Sequence, residues 1–348
     1  MSKMKAAQVR EDLSLEITDV DRPEPATGEV LVRIHAAGVC ATDIHILDGM
    51  IKPDAYPMTI GHESAGVVAE AGPGAMVAVG DRVALYNKMF CGACEQCLAG
   101  RQNICDNEPG QLGFNMDGGY AEYALLPARN CVVLPDEVDF ASASVLACAG
   151  MTAVHALRLS RLRAGESVVV NGIGGVGSMV LQAAALAGAR VLAVADTDDK
   201  LDLARDHGAV DGVVVRRDEL EGYDALPAQI RDLTGGRGVD VFFELVGTTA
   251  TMKAGIRSLA KNGRFVSTGY TEDSLDIHPI EFILSETSFV STVAATVRDL
   301  ADAVRYAADG RFTVPISARF PLSAAPDALE NLRQRKVLGR QVLEPASS

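Results

Sequence analysis

Residues 167–189 form a stretch of 23 residues with no charge, and five of them are glycine. Its length alone would permit a membrane span, but Asn171, Gln182 and the glycines divide it. Ser167–Val170 is an apolar run of the kind that forms a strand covered on both faces. Val176, Met179, Val180, Ala183, Ala184 and Ala187 then share one helical face, and Gly188 is placed to stop the helix. Between strand and helix lies Gly172-Ile-Gly174-Gly175-Val176-Gly177, a G-x-G-x-x-G turn. Asp196 ends the next strand, Arg190–Ala195, 19 residues after Gly177. Strand, glycine turn, helix and distal acid together form the dinucleotide-binding context. Gly172 makes the tight turn, Gly174 lets backbone approach a pyrophosphate, and Gly177 lets helix and strand pack closely. The helix N-terminus, starting at Gly175 and Val176, favours the negative phosphates. Asp196 would bind the adenosine ribose and repel a 2′-phosphate, which selects NAD over NADP. The competing reading is a non-binding turn with Asp196 as a helix cap.

Further short strands follow at Val239–Glu244, Gly263–Ser267 and Ser288–Ser291, with helical segments such as Lys200–His207 between most of them. Such alternation over about 140 residues means a doubly wound parallel sheet. The first 150 residues read differently. Val30, Val32 and Ile34 alternate with Leu31, Arg33 and His35, and short strands at 65–69 and 82–86 are bounded by Gly72-Pro-Gly74 and Gly80-Asp81. That pattern suggests a compact β-barrel. After residue 292 a helix at 299–308 precedes apolar runs near Ala318–Phe320 and Gln341–Leu343, which are expected to rejoin the first domain. The expected division is therefore 1–150 completed by 292–348, with 151–291 between.

With 32 basic and 46 acidic side chains, the formal net charge is −14. A chain this acidic is a poor partner for nucleic acid or an anionic membrane surface. The first ten residues carry no apolar segment with basic flanks, so the expectation is a soluble cytoplasmic protein.

Seven cysteines, an odd number, do not suit a disulfide framework in a chain of this size. Cys91, Cys94, Cys97 and Cys105 follow C-x2-C-x2-C-x7-C, which can close a tetrahedral zinc site with no open position. An iron–sulfur cluster is the alternative that spacing leaves open. Cys40, His62 and Cys148 offer the Cys2His set of a catalytic zinc, but their separation in sequence does not show that they converge. Cys131 reads as buried and inert.

In order along the chain stand G-V-C-x-T-D-x-H (38–45), G-H-E (61–63), the four-cysteine lobe (91–105), C-A-G (148–150), the glycine turn with its acid, and G-R-x-V-L-E (339–344). This series resembles the zinc-dependent alcohol dehydrogenases of the medium-chain dehydrogenase/reductase family over nearly the whole chain. The resemblance implies a GroES-like β-barrel catalytic domain and a Rossmann NAD-binding domain. It implies NAD and two Zn2+ per chain: a catalytic zinc on Cys40, His62 and Cys148, and a structural zinc on Cys91, Cys94, Cys97 and Cys105. Thr42 would hydrogen-bond the substrate oxygen, and His45 would pass a proton towards solvent. Asp43 and Glu63 would act near the zinc, with Asp43 orienting His62. Arg340 would contact the cofactor pyrophosphate. The implied substrate is an alcohol or the matching carbonyl, and the implied assembly is a homo-oligomer, a tetramer rather than a dimer.

The chain has no tryptophan, so the tryptophans that narrow small-alcohol pockets in some relatives are missing. Val297 stands where many relatives place Arg. Met50, Ile51, Tyr86, Phe90 and Phe114 are candidate pocket walls or plain core. A bulkier apolar primary or secondary alcohol is expected. The alternatives are a polyol dehydrogenase, disfavoured by Cys148, and an idle NAD-binding redox sensor.

Overall fold

The computed structural model describes residues 2–216 and 220–345. The chain divides into two compact units, Met1–Met151 with Ala295–Ser348, and Thr152–Ala294.

In the first unit, strand Glu29–Gly38 is the organising element. It pairs antiparallel with Ser64–Ala71, with Tyr123–Pro127 and, at its last two residues, with Arg340–Leu343. Val30, Val32 and Ile34 are fully buried in the unit's main apolar cluster, as the alternation requires. Bulges between Leu31 and Val32 and between Ile34 and Ala36 interrupt the register with Ser64–Ala71. Helix Phe140–Val145 packs on this sheet.

This pairing places the functional residues. Ala37 lies opposite Ser64, so the chain leaving one strand at Gly38–Cys40 runs beside the chain entering the other at His62–Glu63. Val342 lies opposite Gly38, which brings Arg340 to the same corner. A Cβ on Gly38 would lie 2.1 Å from Glu63 Oε2, so any larger residue would displace that carboxylate.

The second unit holds a six-stranded, wholly parallel sheet. In space its strands run Asp211–Val214, Arg190–Ala195, Ser167–Asn171, Val239–Glu244, Leu259–Ser267 and Ser288–Ser291. The chain order is therefore 3-2-1-4-5-6, and it reverses between Ser167–Asn171 and Val239–Glu244, where doubly wound sheets bind nucleotides. Val168, Val169 and Val170 are fully buried. Phe242 and Phe265 are also fully buried and stack at 5.9 Å between centroids. Burying each such side chain contributes on the order of 1.5–3 kcal/mol.

The structure adds strand Asp211–Val214, which sequence reading did not anticipate. It has only four residues, all half-buried, and so lacks the apolar run that marks its neighbours. The strand expected at 263–267 begins at Leu259. The uncharged stretch 167–189 is strand Ser167–Asn171, turn and helix Gly175–Leu186. The one helical stretch long and apolar enough to cross a membrane among the described residues is Phe140–Ser160. Its most apolar window is 78% buried within the chain, as in a core helix.

Candidate functional site

Two groups of metal-ligating side chains form in the first unit. In the lobe, the donor atoms of Cys91, Cys94, Cys97 and Cys105 all lie within 4.8 Å of one another. Cys91 Sγ is 3.9 Å from Cys97 Sγ, and Cys94 Sγ is 3.8 Å from Cys105 Sγ. A zinc–sulfur bond of about 2.3 Å sets tetrahedral edges of about 3.8 Å, so the quartet fits a closed zinc site. Backbone amides point at the sulfurs: Ala93 and Cys94 N–H donate to Cys91 Sγ, Cys97 N–H to Cys94 Sγ, and Cys91 N–H to Cys105 Sγ. The amides of Ala93 and Cys94 lower the Cys91 thiol to about 6, while burial pushes Cys97 up to about 12. Clustered thiols with amides aimed at them are prepared to carry negative charge, which a metal cation would balance.

The second group joins Cys40, His62, Glu63 and Cys148, again with all donor atoms within 4.8 Å. Cys40 caps helix Ala41–Leu47, and its N–H donates to Asp43 Oδ2 at 3.0 Å. Cys148 sits in Leu146–Gly150, a π-helical turn inserted between helix Phe140–Val145 and helix Met151–Ser160. Such insertions are rare and concentrate at functional sites. The hydrogen bond from Cys148 holds Cys40 well below the ordinary thiol value, and Cys148 rises well above it. The two sulfurs lie together at this corner, an arrangement that suits a divalent cation.

Asp43 is fully buried, and its Oδ1 lies 3.1 Å from His62 Nδ1. A carboxylate accepts, so Nδ1 carries a proton, and it is Nε2 of the neutral ring that has a lone pair to give a metal. Burial alone would lower His62, but the charge and hydrogen bond of Asp43 carry it well above the usual imidazole value. Glu63 Oε1 is 3.9 Å from His62 Nε2 and, among the described residues, has no hydrogen-bond partner. Burial raises the Glu63 carboxyl to about 7 against the opposing charge of Arg340. A buried carboxylate oxygen without a donor, beside two sulfurs and an imidazole nitrogen, fits a cation at this corner.

Thr42 and His45 lie three residues apart on helix Ala41–Leu47 and are both half-buried. Thr42 Oγ1 is 3.7 Å from Cys40 Sγ. Arg340 Nη2 donates to Glu63 Oε2, and the arginine side chain is 6% exposed. Its Nε has no partner among the described residues. Of the five candidate pocket walls, Phe114 lies against the cluster, with its ring centroid 5.2 Å from that of His62. Tyr86 is fully buried, and its hydroxyl donates to the Ala295 carbonyl at 2.7 Å, so it is core. Phe90 packs against Tyr86 and under Arg129, Met50 is exposed, and Ile51 packs on the main apolar cluster. Cys131 is half-buried, and burial raises its thiol to about 12.

In the second unit, Gly172 adopts φ +98° and Gly174 caps helix Gly175–Leu186. A Cβ on Gly177 would lie 2.0 Å from the Gly172 carbonyl oxygen. A Cβ on Gly174 would meet nothing within 4 Å, which leaves open space above the turn. Gly175 and Val176 form the first turn, whose amides have no intrahelical acceptor. Asp196 follows strand Arg190–Ala195 and accepts from Lys200 Nζ at 2.7 Å. Sequence reading missed a buried pair at the strand ends. Asn171 Nδ2 donates to Glu244 Oε2 at 2.8 Å, and Glu244 Oε1 accepts the amides of Val246 and Gly247 and the Thr251 hydroxyl. This carboxylate fixes the loop that leaves the fourth strand. Its only sequence signal was an acid ending the strand directly after Phe242 and Phe243.

Cysteine sites of both closed and open type in one unit, and a dinucleotide turn in the doubly wound sheet of the other, define the class of zinc-binding dehydrogenases. Residues 26–136 match the alcohol dehydrogenase GroES-like domain, and residues 175–309 match the zinc-binding dehydrogenase domain. An alcohol dehydrogenase of Geobacillus stearothermophilus is 36% identical, covering 98% of this chain and 99% of its own. An NAD-dependent alcohol dehydrogenase of Sulfolobus acidocaldarius is also 36% identical, covering 95% of this chain and 96% of its own. The crystal structure of the alcohol dehydrogenase from Aeropyrum pernix superposes with a TM-score of 0.89 at 35% identity, covering 98% of this chain and 100% of that one. The chain belongs to the zinc-binding alcohol dehydrogenase family, in the medium-chain dehydrogenase/reductase group. With that family come an oxidoreductase activity and the use of zinc and NAD.

Proposed function

We propose that this chain oxidises a bulky, apolar primary or secondary alcohol with NAD, and reduces the matching aldehyde or ketone in reverse. The observation that carries the reading is the convergence of Cys40, His62 and Cys148 with Asp43 behind the imidazole. These three residues would hold the catalytic zinc, and Cys91, Cys94, Cys97 and Cys105 the structural one. When bound, the zinc supplies a Lewis acid for the substrate oxygen and NAD supplies the hydride acceptor. Thr42, beside Cys40, would accept a hydrogen bond from the alcohol and release its own hydroxyl proton as it takes the alcohol's. His45, one turn further on the same helix, would carry the released proton onward. Asp43 keeps His62 in one tautomer. Glu63 balances Arg340, and the unpaired Nε of Arg340 suits a phosphate oxygen. Gly172, Gly174, Gly175, Val176 and Gly177 would cradle the pyrophosphate, and Asp196 would take the adenosine ribose and select NAD.

A preference for bulk is supported by the absence of tryptophan and by Phe114, a flat apolar side chain beside His62. The test is the initial rate of NAD reduction across ethanol, cyclic, benzylic and terpenoid alcohols and polyols. Highest catalytic efficiency on a cyclic, benzylic or terpenoid alcohol is expected. Ethanol or a polyol at the top would refute the substrate reading, and no turnover with any alcohol would refute the direction proposed. Chelation should abolish turnover, whereas an idle NAD-binding sensor would have none to lose.

A further inference from the structure

Tyr120 is fully buried at the end of Gly118-Gly119-Tyr120. Three consecutive amides of this segment hold the chain that leads into His62. Gly118 N–H donates to Thr59 O at 2.8 Å, Gly119 N–H to Gly61 O at 2.7 Å, and Tyr120 N–H to Ile60 O at 3.0 Å. The ring lies on Gly61, where a Cβ would come within 2.2 Å of Tyr120 Cδ1. Gly61 itself has φ +95°, so both its conformation and this contact demand glycine there. The hydroxyl reaches Asp43 Oδ2 at 2.8 Å and Gly38 O at 3.1 Å.

A phenol has one proton to donate, and the shorter contact is to the charged acceptor. Asp43 is 0% exposed, so bulk water supplies none of its donors. Among the described residues it has three: the Cys40 amide and the Tyr120 hydroxyl at Oδ2, and His62 Nδ1–H at Oδ1. Without the hydroxyl, Oδ2 keeps one donor and the carboxylate loses the contact that fixes its plane relative to the imidazole.

We infer that Tyr120 is a positioning residue for the metal site: its hydroxyl clamps Asp43 so that His62 presents Nε2 to the cation in one orientation. This rests on the reading of His62 as a metal ligand. A purely structural tyrosine would need only the Gly38 carbonyl.

The experiment compares wild type, Tyr120→Phe, Asp43→Asn and the double variant. Zinc retention is measured against graded dipicolinate, and the second site is loaded with Co2+ to read its visible absorption. Wild type should hold two metals per chain. Tyr120→Phe should keep the lobe metal but release the other at about tenfold lower chelator, with a shifted cobalt spectrum. Added to Asp43→Asn, it should change nothing further, because the hydroxyl acts through the carboxylate. Retention and spectrum equal to wild type would overturn the inference, as would an undiminished effect in the Asp43→Asn background. A wild type that binds only the lobe metal would overturn the site reading, and the inference with it. Should Tyr120→Phe not fold, 3-fluorotyrosine at position 120 keeps ring and hydroxyl. It should shift the cobalt spectrum, and an unchanged spectrum would overturn the inference.

Discussion

Gly174→Ala and Gly177→Ala add the same methyl group three residues apart, and the structure assigns them different consequences. At Gly174 the new Cβ meets no atom within 4 Å, and the backbone, with φ −109° and ψ −156°, suits any L-residue. Removing a glycine favours folding by about 0.4–1 kcal/mol through the unfolded chain. Alanine is a poorer helix cap than glycine, which offsets that gain. Stability should therefore stay within about 1 kcal/mol of wild type. The cost falls on the ligand, since the methyl group enters the space the pyrophosphate needs. Overpacking of about 1–3 kcal/mol weakens binding by about 5- to 150-fold. At Gly177 the methyl group would sit 2.0 Å from the Gly172 carbonyl oxygen, so helix and turn must separate by about 1 Å before anything binds. That variant should lose about 1–3 kcal/mol or more of stability as well as NAD affinity. Urea unfolding gives the first quantity and calorimetric titration with NADH the second. Wild-type NADH affinity in a folded Gly174→Ala protein would refute the assignment of this turn to the pyrophosphate.

Cys97→Ser should remove the lobe metal alone, leaving one metal per chain by elemental analysis and a lower melting temperature; loss of both metals would show the sites to be coupled. Cys148→Ser should do the reverse, losing the second metal and turnover while the lobe metal stays. Asp196→Ala should cut the preference for NAD over NADP at least tenfold, because the carboxylate goes and Lys200 is released from its 2.7 Å ion pair; an unchanged ratio of kcat/KM would clear Asp196 of that role. Burial holds the Glu244 carboxyl above its ordinary 4.5, against hydrogen bonds from Gly247, Asn171 and Val246. The native state therefore binds that proton more tightly than the unfolded chain does. The contribution is fully present below about 4.5 and is lost as pH rises through the raised native value. Glu244→Gln should flatten that part of the stability–pH curve, and a curve parallel to wild type would refute the assignment.

The glycine turn, its strand and helix, and the cysteine quartet were legible because each is local. Four glycines within six residues and four thiols within fifteen have few other uses, and spacing alone sets their geometry. Cys40, His62 and Cys148 were legible only through resemblance, since no periodicity shows that residues 22 and 86 positions apart will meet. Their meeting was decided by strand register. Ala37 opposite Ser64 sets Cys40 beside His62, and Val342 opposite Gly38 carries Arg340 to Glu63 from the far end of the chain. The π-helical turn at Cys148 and the buried carboxylates of Asp43 and Glu244 likewise belong to tertiary structure. A buried charge is tolerated only where donors from distant segments converge on it, and a sequence names those donors without placing them. The sequence by itself determined which chemistry the chain can perform, because ligand types, glycines and acids are covalent facts. Where that chemistry is held, and by what support, was decided by the pairing of strands, which alone brings distant donors within hydrogen-bonding distance.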